Sequence, residues 1–283
     1  MTATGGRLVL CGTPIGNLDD MSSRAVAALS EADVIACEDT KRTRKLLTHF
    51  GIKARDLVVY NEGNERRRAP ELVKRISSAQ TVVLVSDAGM PGLSDPGYRL
   101  VRACVDKNLP VEVVPGPSAA VTALAVSGLP PARYVFEGFL PRRPGERARR
   151  IEDLRTEPRT LVFFCSPHRL EADLMALHAG LGDRNSALVR ELTKLYEEVH
   201  RGRLSELLER VRQTPARGEI VVVVEGAIHE HRPEVSSAEL AFQARALMEE
   251  GIPRKEAMAE VAKEAGVPKR RVFDALVRER EQS

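Results

Sequence analysis

Short apolar runs, rich in β-branched residues, alternate with amphipathic stretches through the first 117 residues of the chain. The apolar runs predict strands at residues 7–11, 34–37, 57–60, 81–85 and 111–114. The stretches between them predict helices at 22–32, 43–50, 69–77, with Pro70 in its first turn, and 98–107. Because such strands are too apolar to face water on either side, the alternation predicts a mostly parallel sheet covered by helices.

The second half repeats this alternation and then becomes purely helical. Strands are predicted at 161–165, 186–191 and 220–225, and helices at 118–125, 169–181 and 205–213. Three more helices are predicted at 236–250, 254–265 and 269–281, with Gly-Ile-Pro and Gly-Val-Pro turns between them. The whole pattern predicts two α/β domains, 1–117 and 118–233, and a helical module at 234–283. This module has the pattern of helix-turn-helix packing, and either nucleic-acid binding or a bracing role fits it.

Loops rich in glycine and proline follow three of the predicted strands, at residues 12–18, 87–92 and 115–120. Ligands of open α/β sheets bind at the carboxyl ends of strands, where glycine lets the backbone come close and proline makes a rigid wall. The chain has no GxGxxG after its first strand and no GxxxxGK[ST], which argues against a dinucleotide dehydrogenase and a P-loop NTPase. The loops therefore predict a ligand held by backbone amides and carbonyls.

Composition narrows the class of protein further. The 283 residues carry a formal net charge of +3, and only 4% are aromatic, so any nucleic acid should be bound through charge and shape. Four scattered cysteines without a CxxC pair are expected to be buried thiols in a reducing cytosol. The first apolar run is too short for a signal peptide, and no run approaches the ~18 apolar residues of a membrane span, so a cytoplasmic protein is expected. His229 and His231 flank Glu230 without a third convincing ligand, and no metal site is expected.

Basic residues are clustered in three places. Arg142, Arg143, Arg147, Arg149 and Arg150 follow Pro141, Lys269, Arg270 and Arg271 begin the last predicted helix, and Arg66, Arg67 and Arg68 form a third cluster. Arginine-rich segments bind phosphates without reading sequence, although each cluster also fits a solvated surface. Pro141 and Pro144 are expected to stiffen the first cluster as a loop that overhangs a cleft.

Four segments resemble the motifs of the tetrapyrrole methylase superfamily. They are Thr-Pro-Ile-Gly-Asn-Leu at 13–18, Glu-Asp-Thr at 38–40, Val-Ser-Asp-Ala-Gly-Met-Pro-Gly-Leu-Ser-Asp-Pro-Gly at 85–97 and Pro-Gly-Pro-Ser-Ala at 115–119. Further segments are similar to the branch of that superfamily that methylates ribosomal RNA: Phe-Glu-Gly-Phe-Leu-Pro at 136–141, Phe-Phe-Cys-Ser-Pro-His-Arg at 163–169 and Arg-Glu-Leu-Thr-Lys at 190–194. The resemblance covers nearly the whole chain, with Lys41 and Met90 as small departures.

The resemblance implies two α/β domains of the tetrapyrrole methylase type with a small C-terminal helical extension. It implies S-adenosylmethionine in the cleft between the domains, 2′-O-methylation of a cytidine in the decoding region of 16S ribosomal RNA, and a homodimer. By the same resemblance, residues of the first-domain motifs should contact the cofactor: Pro14, Gly16, Ser86, Asp87, Ala88, Gly89, Pro117, Ser118 and Ala119. Ser166 and Thr193 should close over the adenosine from the second domain, although ordinary capping roles fit both.

Methyl transfer to a hydroxyl requires alignment and a group that takes the proton. Glu38 and Asp39, side by side at the end of a strand, are candidates because adjacent carboxylates raise each other's pKa. The alternative is that one caps a helix and the other pairs with Arg42. His168 is a further candidate, although Arg169 beside it makes a phosphate contact equally plausible.

Two other functions remain open from the sequence. One is the same fold acting on a tetrapyrrole precursor, which would need neither the arginine-rich segment nor the helical module. The other is a non-catalytic ribosome-assembly factor, which would have no affinity for the cofactor.

Overall fold

The computed structural model describes residues 5–227 and 236–282, so His229, Glu230 and His231 lie outside the described residues. The chain divides into two compact units, Met1–Ala227 and Ile228–Ser283. Among the described residues, two β-sheets lie in the first unit and three helices in the second. The domain boundary expected at residues 117/118 falls within the first unit and stays a prediction.

The first sheet is parallel throughout. Its strands are β1 (Arg7–Cys11), β2 (Val34–Cys37), β3 (Leu57–Val59), β4 (Thr81–Leu84) and β5 (Val111–Val114), and the helices between them are α1 (Ser23–Glu31), α2 (Thr40–His49), α3 (Glu65–Ser77) and α4 (Tyr98–Val105). The strand order is β3-β2-β4-β1-β5. Leu8 and Val82 belong to the core on one face, and Val9 and Val83 to the core on the other. The predicted parallel sheet is therefore confirmed.

The strand order determines where the loops lie. β4, β1 and β5 are neighbours, and β2 lies on the other side of β4. Because all these strands are parallel, their carboxyl ends lie at one edge of the sheet. The three glycine-proline loops, which follow β1, β4 and β5, therefore leave the sheet side by side.

Two helix starts differ from the predictions by more than one residue. α2 begins at Thr40, three residues before the predicted start, because the Asp39 carboxylate caps it. α3 begins at Glu65, which places Pro70 inside the helix and makes its predicted first-turn position wrong. The early start is stabilised by an ion pair of 2.7 Å between Glu65 and Arg99. Pro70 cannot donate a backbone hydrogen bond, and the burial of one helix face compensates for this loss.

The second sheet is mixed. Its strands are β6 (Tyr134–Phe139), β7 (Thr160–Cys165), β8 (Asn185–Arg190), β9 (Glu198–Arg203) and β10 (Ile220–Val224), and its helices are α5 (Ala119–Ser127), α6 (Pro144–Asp153), α7 (Leu170–Leu181) and α8 (Leu204–Gln213). In the order β6-β7-β10-β8-β9, only β6 and β7 pair in parallel. The apolar strands β7, β8 and β10 were predicted. The edge strands were missed, because β9 is mostly polar and β6 contains a bulge at Gly138.

The arginine-rich segment forms helix α6, so the expected overhanging loop is wrong. Pro144 occupies one of the first helical positions, where its fixed φ favours a helix, and Ile151 anchors the helix in the core. Arg147 forms an ion pair of 3.1 Å with buried Asp173, and Arg150 binds both oxygens of Glu137 at 2.7 Å. These two arginines therefore hold the helix in place.

The second unit consists of α9 (Ser237–Glu249), α10 (Arg254–Ala265) and α11 (Lys269–Gln282), as the pattern predicted. Its core is small and built largely from alanine, valine and leucine. The Lys269 ammonium donates a hydrogen bond to the Lys255 carbonyl, and Arg270 is exposed. Over the described parts of the chain, we find no helix with the length and apolar character needed to cross a membrane.

Candidate active site

The three glycine-proline loops meet at the carboxyl edge of the first sheet. Thr13 and Gly89 form an antiparallel bridge, with hydrogen bonds of 2.9 and 3.1 Å between their backbones. Gly12 and Gly116 pack backbone to backbone, and a Cβ on Gly12 would lie 2.6 Å from the Gly116 Cα. Only glycine permits this approach, so the loops form one continuous wall.

A cavity of about 420 Å³, here called the first cavity, lies between this wall and the second sheet. Ala88, Gly89, Ser118 and Ala119 line its first-sheet side, and Ser94 and Asp95 add polar groups. Its opposite side is apolar and is lined by Tyr134, Phe136, Phe139, Phe164, Ile220 and Val221. The low aromatic content had suggested few stacking surfaces, yet four of the chain's eleven Phe and Tyr residues gather here.

A second cavity of about 320 Å³ adjoins the first. Ile15, Ala88 and Glu219 line both cavities. The remaining lining of the second cavity is mostly polar: Thr13, Pro14, Gly16, Leu18, Arg42, Thr43, Lys45, Leu46, Ser86, Asp87 and Lys194. The residues expected at a single cofactor site are thus divided, with Pro14, Gly16, Ser86 and Asp87 facing the second cavity.

Acidic side chains lie close to each other around the two cavities. Asp95 lines the first cavity and Asp87 the second, and Glu38, which lines neither, interacts electrostatically with both. Burial, with the repulsion of Asp95 and Asp87, raises the pKa of Glu38 to about 7. Burial also raises the pKa of Asp95 to about 6. The pKa of Glu38 therefore lies near neutral pH, which suits a general base, because the ionised carboxylate is populated and is basic enough to take a proton.

Asp39 has a different role from its neighbour. Its carboxylate accepts hydrogen bonds from the Lys41 amide at 2.7 Å and the Arg42 amide at 3.4 Å, which lowers its pKa. This is the capping alternative that the sequence left open. Arg42 forms its ion pair with Asp87, at 3.3 Å, and not with Glu38 or Asp39, the two partners that the sequence suggested.

Several expected site residues line neither cavity. Pro117 lies beside Gly89, whose Cβ position is 3.4 Å from the Pro117 carbonyl oxygen. Thr193 has a positive φ of 65°, and its hydroxyl accepts a hydrogen bond from the Asn17 amide at 3.1 Å, so it links a second-sheet loop to the first glycine loop. Ser166 is half-buried in the turn after β7, and His168 is exposed there. Their expected roles stay predictions.

Arg169, next to His168, does not offer a free guanidinium to a phosphate. Its Nη2 donates to the carbonyls of Leu140 and Pro141 at 3.1 and 3.0 Å and pairs with Asp173 at 3.2 Å. Among the arginines of the first predicted RNA-binding cluster, Arg143 pairs with Glu146, while Arg142 and Arg149 are exposed. Sequence reasoning missed Asp95, Glu219 and the aromatic side of the first cavity, because only the fold brings those residues to the loops.

Metal ligands are not grouped in the described residues of the chain. No three His, Cys, Asp or Glu side chains are placed to hold an ion in residues 5–227 and 236–278. The four cysteines are buried and free, and burial raises the pKa of each thiol. Their chemistry is therefore that of small apolar side chains.

The raised pKa of Glu38 predicts a pH-dependent stability. The unfolded carboxyl ionises near 4.5 and the folded one near 7, so the native state binds more protons and loses stability as pH rises between these values. Glu38→Gln removes this loss. We expect the variant to match the wild type near pH 4 and to be more stable by about 2 kcal/mol at pH 8, after allowing for partial exposure. Urea unfolding at both pH values measures the difference, and an equal gain at the two would contradict the assigned pKa.

The fold and the paired cavities define an α/β protein with a ligand cleft between two sheets. Residues 7–208, well over half of the chain, match the family model of the tetrapyrrole (corrin/porphyrin) methylases. The chain belongs to the tetrapyrrole methylase family, and the resemblance of its loop motifs is confirmed.

Within this family, curated relatives carry the name ribosomal RNA small subunit methyltransferase I. The protein of that name from Halalkalibacterium halodurans is 43% identical over 272 residues, which cover 95% of this chain and 94% of the relative. The one from Thermotoga maritima is 45% identical over 221 residues, which cover 78% of this chain and 99% of the relative. The match therefore extends to the branch that the second-domain motifs indicated.

A solved structure supports the fold independently. Uroporphyrin-III C-methyltransferase from Thermus thermophilus, crystallised with S-adenosylhomocysteine, aligns with a TM-score of 0.56 at 20% identity, over 78% of this chain and 97% of that one. The predicted fold class, two α/β domains with a C-terminal helical extension, is confirmed.

Proposed function

We propose that this chain is an S-adenosylmethionine-dependent methyltransferase that methylates the ribose 2′-hydroxyl of a cytidine in the decoding region of 16S ribosomal RNA. The observation that carries the proposal is the pair of adjoining cavities, one mostly apolar and one polar and basic, which share Ile15, Ala88 and Glu219 in their lining. A group transfer between two bound molecules needs this arrangement, because their reacting atoms must touch. The names and high identity of the relatives support ribosomal RNA as the substrate.

The first cavity fits the cofactor. Its aromatic and aliphatic side suits an adenine ring, and Ser94, Ser118 and the backbone around Gly89 offer polar groups to the remainder. Asp95 provides negative charge that favours a cationic sulfonium. When bound, the cofactor supplies an activated methyl group. The chain's own residues hold it, exclude water from one side and keep it next to the second cavity.

Glu38 is the proposed proton acceptor. With a pKa near 7, Glu38 is ionised in about half of the molecules at neutral pH, and the ionised form accepts the proton of the hydroxyl. Asp39 is committed to capping α2, and His168 is exposed in the turn after β7. Glu38 itself lines neither cavity, but it interacts electrostatically with Asp95 and Asp87, which line the first and the second. Activity is therefore expected to rise with pH through about 7, because the base must be ionised.

The same proposal includes a homodimer and a cytoplasmic location, the compartment where ribosomes are assembled. Methylation of a tetrapyrrole precursor is the alternative within the family. The relatives that cover most of the chain favour RNA over that alternative. The well-formed first cavity argues against a factor without cofactor affinity.

Two measurements test the proposal. Calorimetry with S-adenosylmethionine should show one site per chain, and absence of binding would point to a non-catalytic factor. Mass spectrometry of ribosomal RNA from a strain that lacks the gene should show the loss of one 2′-O-methyl cytidine, which the wild-type gene restores. Cofactor binding together with unchanged RNA would favour a tetrapyrrole substrate.

A further inference from the structure

Helix α2 is the most basic of the four helices, α1 to α4, that connect the strands of the first sheet. Its first six residues contain four cations, Lys41, Arg42, Arg44 and Lys45, and its ten residues contain no acid. All four side chains are exposed. Arg42 contacts Asp87, whereas the other three have no acidic partner within 4.0 Å in the described part of the chain. Like charges one helical turn apart repel each other, so such a helix is better satisfied beside a polyanion.

One side of this helix faces the second cavity. Arg42 and Lys45, three residues apart and therefore on one face, line the cavity together with Thr43 and Leu46. Burial of Thr43 and Leu47 fixes the rotation of the helix, and the Asp39 cap fixes its start. The direction of the two cations is therefore set by the fold.

The side chains that line the second cavity carry one more positive charge than negative charge. Arg42, Lys45 and Lys194 are opposed by Asp87 and Glu219. Lys194 already pairs with Glu191 at 2.9 Å and Glu219 at 3.2 Å. The Arg42–Asp87 contact joins one guanidinium nitrogen to one oxygen at 3.3 Å, with 67% of the Arg42 side chain exposed. Arg42 therefore has donors left, and Lys45 has no acidic partner among the described side chains.

We propose that Arg42 and Lys45 bind an RNA phosphodiester at the second cavity, and that α2 is the helix on which the RNA backbone docks. The inference rests on the proposed function and assigns the substrate side of that site. A 3′-phosphodiester is attached to the ribose carbon next to the one that carries the 2′-hydroxyl. Holding this phosphate at Arg42 and Lys45 therefore places the hydroxyl near Ala88, where the two cavities meet. Lys41 and Arg44 extend the contact to neighbouring phosphates without reading the bases.

This surface differs from the clusters noticed in the sequence. Arg147 and Arg150 of α6 are held by acids, and Arg143 pairs with Glu146. Arg66 and Arg67 lie in the first turn of α3, and neither lines a cavity. The cations of α2 are exposed, and only Arg42 has an acidic partner among the described residues. Arg42 and Lys45 also line the cavity that the ribose 2′-hydroxyl must enter.

The test compares Lys45→Glu with Lys45→Arg and with Lys107→Glu. Lys107 is an exposed lysine without an acidic partner in the described residues, and it lies beyond the end of α4, near the amino end of β5 and away from the loops. Small ribosomal subunits purified from the strain that lacks the gene serve as substrate. Methyl transfer is followed over a series of salt concentrations, and S-adenosylmethionine binding is measured by calorimetry.

For Lys45→Glu we expect KM for the subunits to rise about tenfold, with kcat within about twofold and cofactor affinity unchanged. The slope of log KM against log salt should fall by about one, as for the loss of one phosphate contact. Lys45→Arg should keep the wild-type KM, and Lys107→Glu should change it little. An unchanged KM for Lys45→Glu, or equal increases for both reversals, would overturn the inference. A wild-type protein that binds the cofactor but does not methylate the subunits would instead overturn the proposed function.

Discussion

Gly89→Val is expected to abolish S-adenosylmethionine binding while the chain remains folded. Gly89 lies on the wall of the first cavity with a positive φ of 78°, a conformation that a β-branched residue adopts only under strain. Its Cβ position is 3.4 Å from the Ile15 side chain and from the Pro117 carbonyl, so the methyl groups of valine would press on the loops or fill the cavity. A loss of about 3 kcal/mol of binding free energy, caused by the methyl groups in the cavity, corresponds to a Kd increase on the order of 100-fold, which leaves no binding at ordinary cofactor concentrations. Calorimetry measures this change.

Gly51→Val is the matched control for this variant. Gly51 also has a positive φ, of 66°, but its Cβ position has no neighbour within 4 Å, and it lies just beyond α2 at the end distant from the loops. The control should therefore lose stability through backbone strain and keep its cofactor affinity. If Gly89→Val bound S-adenosylmethionine as tightly as Gly51→Val does, the first cavity would not be the cofactor site.

Glu38→Gln should lower kcat by a factor of about 100 to 10,000, the usual contribution of a general base. Glutamine preserves the shape of the side chain but cannot take a proton. The affinity for the RNA substrate should change little, because Glu38 lies outside the basic lining of the second cavity. Steady-state methylation of small subunits at pH 8 measures kcat, and a pH series from 5.5 to 8.5 should show the wild-type rise near pH 7 disappear in the variant.

Asp39→Asn separates the two neighbouring carboxyls. Asparagine caps a helix about as well as aspartate, so the variant should fold normally and α2 should keep its start. Its kcat should stay within about twofold of the wild type, since the cap does not act on substrate. If Asp39→Asn lost activity and Glu38→Gln retained it, the assignment of the base to Glu38 would be wrong.

The first sheet could be predicted almost completely from the sequence, and the second only in part. Buried parallel strands are continuous apolar runs. The predicted first and last residues of β1, β2 and β5 therefore agree with the structure. The sequence did not predict β9, because most of its side chains are polar. It lies at the edge of the sheet, and only its pairing with β8 identifies it as a strand. α6 was mistaken for a loop, because nearly all of its side chains are polar and only Ile151 is buried, so its apolar pattern is weak.

The candidate site shows the same division between local and tertiary information. The glycine-proline loops and the adjacent carboxyls Glu38 and Asp39 could be recognised from residue type and position, but their separate roles could not. Asp39 is a cap because α2 begins at Thr40, and Glu38 is perturbed because the fold brings Asp87 and Asp95 to it. Residues distant in the chain cannot reveal such a meeting by their spacing.

The sequence by itself determined the fold class, the three glycine-proline loops and the family, because these depend on local patterns of apolar residues, glycine and proline. The tertiary structure alone decided that β4, β1 and β5 are neighbours, which places the three loops side by side. It also decided that a second sheet supplies the aromatic side of the first cavity, and that the cations of α2 face the second. Strand order and helix rotation follow from packing between distant segments, and no local pattern contains that information.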